Sequence, residues 1–258
     1  MRLLRIILFL AGSYASFARS EPCNVNDVWE RMITAKGGRQ RLQSVQTFAV
    51  IEQHSWWQFL KRRTLDYRYF YVLPDFWWIW QDSGDERFSG TVGWADAARQ
   101  TWMTVELDSN RFSQGKLTGR NWEYDLALFL PEHNWMKPRL LTCSVDEVAE
   151  TTAVEAEVSG PADFRLLRFN LLNRTMLPIR VDQVHEKYRT ANFLEDYVSI
   201  DGIMLPTQHR QVTSSFLKPL TLKVRYRINP DYDPAIMTRR PNPKDSPDAW
   251  MRIKTNRH

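Results

Sequence analysis

The residues that could do chemistry are few and dispersed. Five histidines, His54, His133, His185, His209 and His258, occur singly, and none has a second ligand at short helical spacing. A tetrahedral metal site needs several His, Cys or carboxylate groups converging, so no metal is expected. The chain holds no nucleophile elbow, phosphate-cradling loop or dinucleotide fingerprint. Glu195 and Asp196 are adjacent on an expected strand and so point to opposite faces, which is poor geometry for paired acid–base work. Asn173-Arg174-Thr175 matches a glycosylation sequon, a three-residue pattern that arises by chance and has no meaning in a bacterial source. No catalytic residue and no cofactor are expected, and the chain reads as non-enzymatic. Cys23 and Cys143 are the only cysteines. In an oxidising compartment they can form one disulfide, but two residues define no spacing signature, so two separate buried thiols is the alternative.

Aromatic mass is the stronger signal. The chain carries 11 Trp, 9 Tyr and 13 Phe, a heavy load for one domain. Taken singly, each ring reads as filler for the inside of a curved sheet. Their density between residues 56 and 80 suggests more. In TLDYRYFYV, Leu65, Tyr67, Tyr69 and Tyr71 share one face. In FWWIW, Phe76, Trp78 and Trp80 share a face that can line a barrel, which leaves Trp77 and Ile79 to lie under a helix or to form an exposed patch. With Trp94 and Phe129, the residues Leu65, Tyr67, Tyr69, Tyr71, Phe76, Trp78 and Trp80 are the expected lining of a ligand cavity. Trp56 and Trp57 sit near the basic trio Lys61, Arg62 and Arg63, an expected contact with a membrane surface or partner.

The elements that must position these rings follow from periodicity. Asn24 or Asn26 can cap a helix in which Val28, Trp29, Met32 and Ile33 recur at helical spacing, stopped by Gly37 and Gly38. A helical turn at 39–43 follows. From Val45 the period becomes two, and Phe48 and Val50 oppose Ala49 and Ile51. Short strands continue through ERFSG, TVGWAD and RQTWMTVEL. NWEYDLALFL, from Asn121 to Leu130, reads as a second helix with Trp122, Leu126, Phe129 and Leu130 on one stripe. Strands resume at 153–159, 164–171, 178–184, 191–198, 203–213 and 220–228. About ten strands at this spacing predict a mainly β fold with a few helices (α+β): an incompletely closed antiparallel β-barrel or strongly curved sheet covered by helices.

The ends differ from the body. Residues 1–20 combine Arg2 and Arg5, an apolar run from Ile6 and small residues near Ser16 and Ala18, the layout of a secretory signal peptide. The formal charge of +5 looks like a hint of an acidic partner. It resides in Arg2, Arg5 and Arg19 at one end and in six Lys and Arg between Arg239 and Arg257 at the other. The body between is slightly acidic, so no nucleic-acid partner is expected. The organisation reads as a signal peptide over 1–20, one domain over 21–243 and a disordered basic tail over 244–258.

The order of motifs is similar to a known family. KGGRQRLQSVQTFAV, LPDFWWIW followed by GTVGWAD, FLEDYVSIDGIMLPTQHRQ and INPDYDPAIMTRRPNP resemble, in sequence, the opening helix and Gly-Gly step, the proline-led strand and later Gly-Trp strand, the late Asp-Gly-Ile strand pair and the closing segment of the outer-membrane lipoprotein-sorting (LolA/LolB-like) proteins. The resemblance spans residues 28–243. It implies a periplasmic carrier that holds a lipid or lipoprotein acyl chain and hands it towards the outer membrane, with transient contact to a membrane surface or envelope transport protein. The alternative expectation is an envelope assembly scaffold that uses the same fold and its basic tail.

Overall fold

Asn24 opens the first helix, α1 (Val25–Ala35), its side-chain Oδ1 accepting from the backbone N–H groups of Asn26 and Asp27. Val28, Trp29, Met32 and Ile33 form its buried stripe, as their spacing predicts. At its end the N–H groups of Gly37 and Gly38 return to the carbonyls of Thr34 and Ile33 at 3.0 and 2.9 Å. Gly37 has φ +119°, and a Cβ there would collide with the Gly202 carbonyl, so only glycine fits. Helix α2 (Arg39–Gln43) follows at once. The computed structural model describes residues 23–58, 61–82, 90–117, 126, 128–132, 138–158, 164–185, 189–213, 219–242 and 251–252.

Thirteen strands make one antiparallel sheet: β1 (Thr47–Gln58), β2 (Lys61–Val72), β3 (Phe76–Asp82), β4 (Thr91–Asp96), β5 (Thr101–Glu106), β6 (Phe112–Lys116), β7 (Pro138–Asp146), β8 (Thr151–Val158), β9 (Phe164–Leu172), β10 (Pro178–His185), β11 (Arg189–Ile200), β12 (Ile203–Thr213) and β13 (Leu220–Ile228). Their spatial order, β6-β5-β4-β3-β2-β1-β13-β12-β11-β10-β9-β8-β7, is two meanders joined where β1 pairs with β13. A sheet this wide must curl, because each strand twists relative to its neighbour. It is not a closed barrel: β6 and β7 are its edges. These edges are consecutive in the chain, and the link between them buries Leu126, Leu128, Phe129 and Leu130. Of the expected helix 121–130, residues 121–125 and 127 lie outside the described residues, and Leu126, Leu128 and Phe129 are helical. ERFSG lies mostly outside them too. Strands β6 and β7 are additions to the sequence reading. Strand β7 alternates poorly because a bulge falls between Leu140 and Thr142 and most of its residues are exposed. Within 244–258, Met251–Arg252 forms β15, paired with β14 (Asp231–Tyr232).

Each sheet face is covered over part of its width. On one face, the helix-covered face, α1 and Leu126–Leu130 pack with Phe48, Val50, Tyr71, Val154, Phe169, Leu205 and Tyr226. Trp29 meets Phe169 edge-on at 5.4 Å, and its indole N–H donates to Glu132, which also accepts from Arg39 at 3.3 Å. On the outer face of β1–β5, Ala49, Phe70, Phe76, Trp78, Val92, Trp94 and Val105 form a second core under Ile236. That cover is the C-terminal segment: Tyr232 lies 5.1 Å from Phe70, the Trp94 indole donates to the Arg239 carbonyl at 3.0 Å, and the Arg240 guanidinium stacks 4.2 Å over Phe112.

Cys23, just before α1, is bonded to Cys143 of β7, with Cα atoms 5.8 Å apart and a sequence separation of 120. The bridge ties α1 to the edge strand. Closing so long a loop restricts the unfolded chain strongly, so Cys23→Ser/Cys143→Ser should lose about 2–5 kcal/mol. Chemical denaturation of the oxidised protein and the double variant measures this; equal midpoints would refute it.

Candidate functional site

The ladder register decides which rings meet. Phe48 is opposite Tyr71, Val50 opposite Tyr69, Glu52 opposite Tyr67 and His54 opposite Leu65. Tyr71 is in turn opposite Trp77, and Tyr69 opposite Ile79. Leu65, Tyr67, Tyr69 and Tyr71 therefore share the helix-covered face with Trp77 and Ile79. Phe76, Trp78 and Trp80 have the opposite parity and lie on the outer face with Phe70 and Trp94. The nine expected lining residues are thus two surfaces back to back. Phe76, Trp78 and Trp94 are almost wholly buried beneath the C-terminal segment, while Trp80 stacks with the Arg68 guanidinium at 4.8 Å. Phe129 belongs to the helix-covered side.

On that side the rings form a continuous ladder. His54 lies 4.4 Å from Tyr67, Tyr67 stacks on Tyr69 at 5.7 Å, Tyr69 on Tyr71 at 6.3 Å and on Trp77 at 6.4 Å, and Tyr71 on Phe48 at 6.4 Å. Phe48 then meets Tyr226 at 5.7 Å and Phe129 at 6.1 Å. Tyr71 and Phe48 are buried, but Leu65, Tyr67, Tyr69, Trp77 and Ile79 are only half-buried. Further along the same face Trp102 lies across Gly115, where any side chain would strike its ring. This half of the sheet offers a greasy surface that α1 does not cover. It is a flat, polarizable surface suited to an alkyl chain.

Polar groups interrupt the face toward one end. Glu52 and His54 continue the inward positions of Phe48 and Val50, and their side chains pair at 2.7 Å. His209 aligns with His54 through Leu222, two strand spacings away. Burial pushes the His209 imidazole below its ordinary pKa, with Glu52 acting in the opposite sense. Burial raises the Tyr67 and Tyr226 phenols, and the Glu52 charge adds to both. Tyr226 donates to the Pro206 carbonyl. Two residues on from His209 in β12, Gln211 donates to Asn192 of the neighbouring β11 at 3.3 Å. Glu52, His54, His209, Asn192 and Gln211 escaped the sequence reading. The signal that could have found Glu52 and His54 is simple: polar residues continue an inward alternation begun by Phe48 and Val50.

Among the described residues no three His, Cys, Asp or Glu side chains converge to hold a metal. His133 and His258 lie outside the described residues, as does the side chain of His185. For the expected membrane contact, the backbone pairs Trp56 with Arg63, Trp57 with Arg62 and Gln58 with Lys61 at the end of the β1–β2 hairpin. The side chains of Trp56, Trp57, Lys61, Arg62 and Arg63 lie outside the described residues.

Neither a family model nor a curated protein matches the chain. Solved structures do. A LolA superfamily protein from Nitrosomonas europaea superposes with a TM-score of 0.54 at 11% identity, over 84% of this chain and 98% of that one. A domain assigned to the outer membrane lipoprotein-sorting proteins, from Vibrio parahaemolyticus, gives a TM-score of 0.53 at 10% identity, over 83% and 97%. The chain shares the fold of these two structures. A DUF1329 family protein from Desulfovibrio piger gives 0.50 at 11% identity, over 80% and 93%. In this sheet α1 lies against β7 and β8, and the aromatic ladder runs out along β2 and β3, where Tyr67, Tyr69 and Trp77 are half-buried.

Proposed function

We propose that the chain is a non-enzymatic periplasmic carrier that holds a lipid or lipoprotein acyl chain along the ladder Tyr67, Tyr69, Tyr71 and Trp77 and hands it towards the outer membrane. The observation that carries this reading is that half-buried ladder, on the inner side of a LolA-like sheet whose edges are unpaired. A signal-peptide-like start and the Cys23–Cys143 bond both favour an oxidising compartment. Each methylene withdrawn from water is worth about 0.8 kcal/mol, so an acyl chain of roughly sixteen carbons gains on the order of 10 kcal/mol before ordering costs. That gain is measured against water; it offsets what the chain loses on leaving a bilayer, which keeps the transfer reversible, as a carrier needs.

Native mass spectrometry of the protein purified from its own compartment should show bound lipid, and a fluorescent fatty-acid probe should bind. Tyr69→Ala should weaken the probe about tenfold or more. Trp78→Ala should leave probe affinity unchanged while lowering stability, because Trp78 faces the other way. Protein that is always empty and binds no probe would sink the reading. A loss of probe binding with Trp78→Ala, but not with Tyr69→Ala, would move the site to the outer face.

A further inference from the structure

Three buried polar atoms on the helix-covered face have no hydrogen-bond partner among the described residues: both ring nitrogens of His209 and the amide nitrogen of Asn192. The two residues are 3% and 0% exposed, respectively. Leaving such groups unsatisfied is costly, so native proteins seldom tolerate it without a reason. The residues occupy neighbouring strands, with His209 opposite Leu194 and Asn192 opposite Gln211. Gln211 already occupies the Asn192 oxygen, so the free Asn192 atoms are donors. A neutral imidazole offers one donor and one acceptor. Phe129 lies 6.3 Å from the His209 ring, and Tyr67 touches His54 on the ladder side. The orphaned atoms therefore lie on the same face as the ladder, a few strands from it.

The charge of the neighbourhood narrows the guest. Glu52 is 6% exposed on this face and pairs with His54 at 2.7 Å. A phosphate or carboxylate brought here would meet the Glu52 carboxylate at low dielectric, with no lysine or arginine among the cluster to offset it. An ester carbonyl alone would accept from Asn192 and leave the acceptor nitrogen of His209 without a donor. A hydroxyl or an amide does both.

We propose that His209 and Asn192, flanked by Glu52 and His54, receive the uncharged polar end of an amphiphile, a hydroxyl or amide group that both donates and accepts, while its tail lies on the aromatic ladder. This deepens the carrier reading and rests on it. The test is competition against the fluorescent fatty-acid probe at neutral pH with a palmitoyl series: monopalmitoylglycerol, palmitamide, methyl palmitate and palmitate. The wild type should bind the first two at least about tenfold more tightly than the last two, the worth of one well-made buried hydrogen bond. His209→Phe and Asn192→Leu should each narrow that gap while the probe still binds, and His209→Gln, which keeps a donor and an acceptor, should preserve most of it. If either apolar variant fails to fold, the wild-type series and His209→Gln still decide. Palmitate binding as tightly as monopalmitoylglycerol, or an unchanged gap in His209→Phe, overturns the inference and leaves these atoms a role in the fold alone, through buried water. If neither the probe nor any series member binds, the carrier reading falls, and this inference with it.

Discussion

Deleting residues 231–258 should unfold the protein or drive it to aggregate, even though the thirteen-stranded sheet lies wholly upstream of the cut. The removed segment supplies Tyr232, Ile236 and Met237 to the second core and caps Trp94 with the Arg239 carbonyl. Without it Phe70, Phe76, Trp78, Val92 and Trp94, each at most 2% exposed, would face water. If a few hundred Å² of apolar surface is uncovered, the loss at about 25 cal/mol per Å² is on the order of 5–10 kcal/mol. That equals much of a domain's typical stability of about 5–15 kcal/mol. The exposed face would also be a continuous greasy patch, prone to self-association. Thermal melts, dye binding and tryptophan emission report the result. A single substitution isolates the cause: Ile236→Asp, at a position 1% exposed, should cost about 3–5 kcal/mol. A truncated chain with the parent melting temperature and unshifted emission would show that the segment is not the cover described above.

The second large effect concerns Lys36. Its ammonium is fully buried, donates to the Met204 carbonyl at 3.3 Å and lies 5.8 Å over the Tyr197 ring. Among the described residues no carboxylate is paired with it. Burial pushes its pKa down to about 7. The unfolded chain holds this proton up to about pH 10.5, so between pH 7 and 10.5 the unfolded state binds more protons than the folded one. Stability must therefore rise with pH across that window, by on the order of 5 kcal/mol if nothing else titrated, and is lost again as pH falls towards 7. Burial raises the Tyr197 and Tyr226 phenols, whose contribution fades as pH climbs past about 10, so the maximum should fall just below that. Lys36→Met keeps the stem's packing and removes the charge. It should raise stability at neutral pH by several kcal/mol and abolish the climb. Urea titrations of both proteins at neutral pH and near pH 9.5 test this, because the difference between them cancels every other group. Parallel curves would refute it.

Local features were legible from the sequence because local physics sets them. The Asn24 cap, the Gly37-Gly38 stop, and the limits of β12 and β13 all follow from capping, φ preference and period-two alternation. The facing of β3 was not legible. Alternation separates Phe76 and Trp78 from Trp77 and Ile79, but only the register of Tyr71 against Trp77 says which pair turns inward. FWWIW is greasy on both sides because one side meets the helix-covered face and the other the C-terminal segment. That segment reads as prolines and arginines around Ile236 and Met237, and nothing local announces a cover. The buried polar group was hidden for a similar reason. Glu52 and His54, Asn192, and His209 are far apart in the chain, and three ladders bring them to one face.

The unpaired border between β6 and β7 has a mechanical consequence. Every ladder of the thirteen-stranded sheet joins neighbours in its strand order and none joins β6 to β7, so the two edges of this slit can move relative to each other without breaking a rung. The bending would concentrate at the seam of β1 and β13, opposite the slit, while Cys23–Cys143 keeps α1 riding with one lip. On the carrier reading proposed above, a guest would enter from the side, between the two edges, without any ladder having to open.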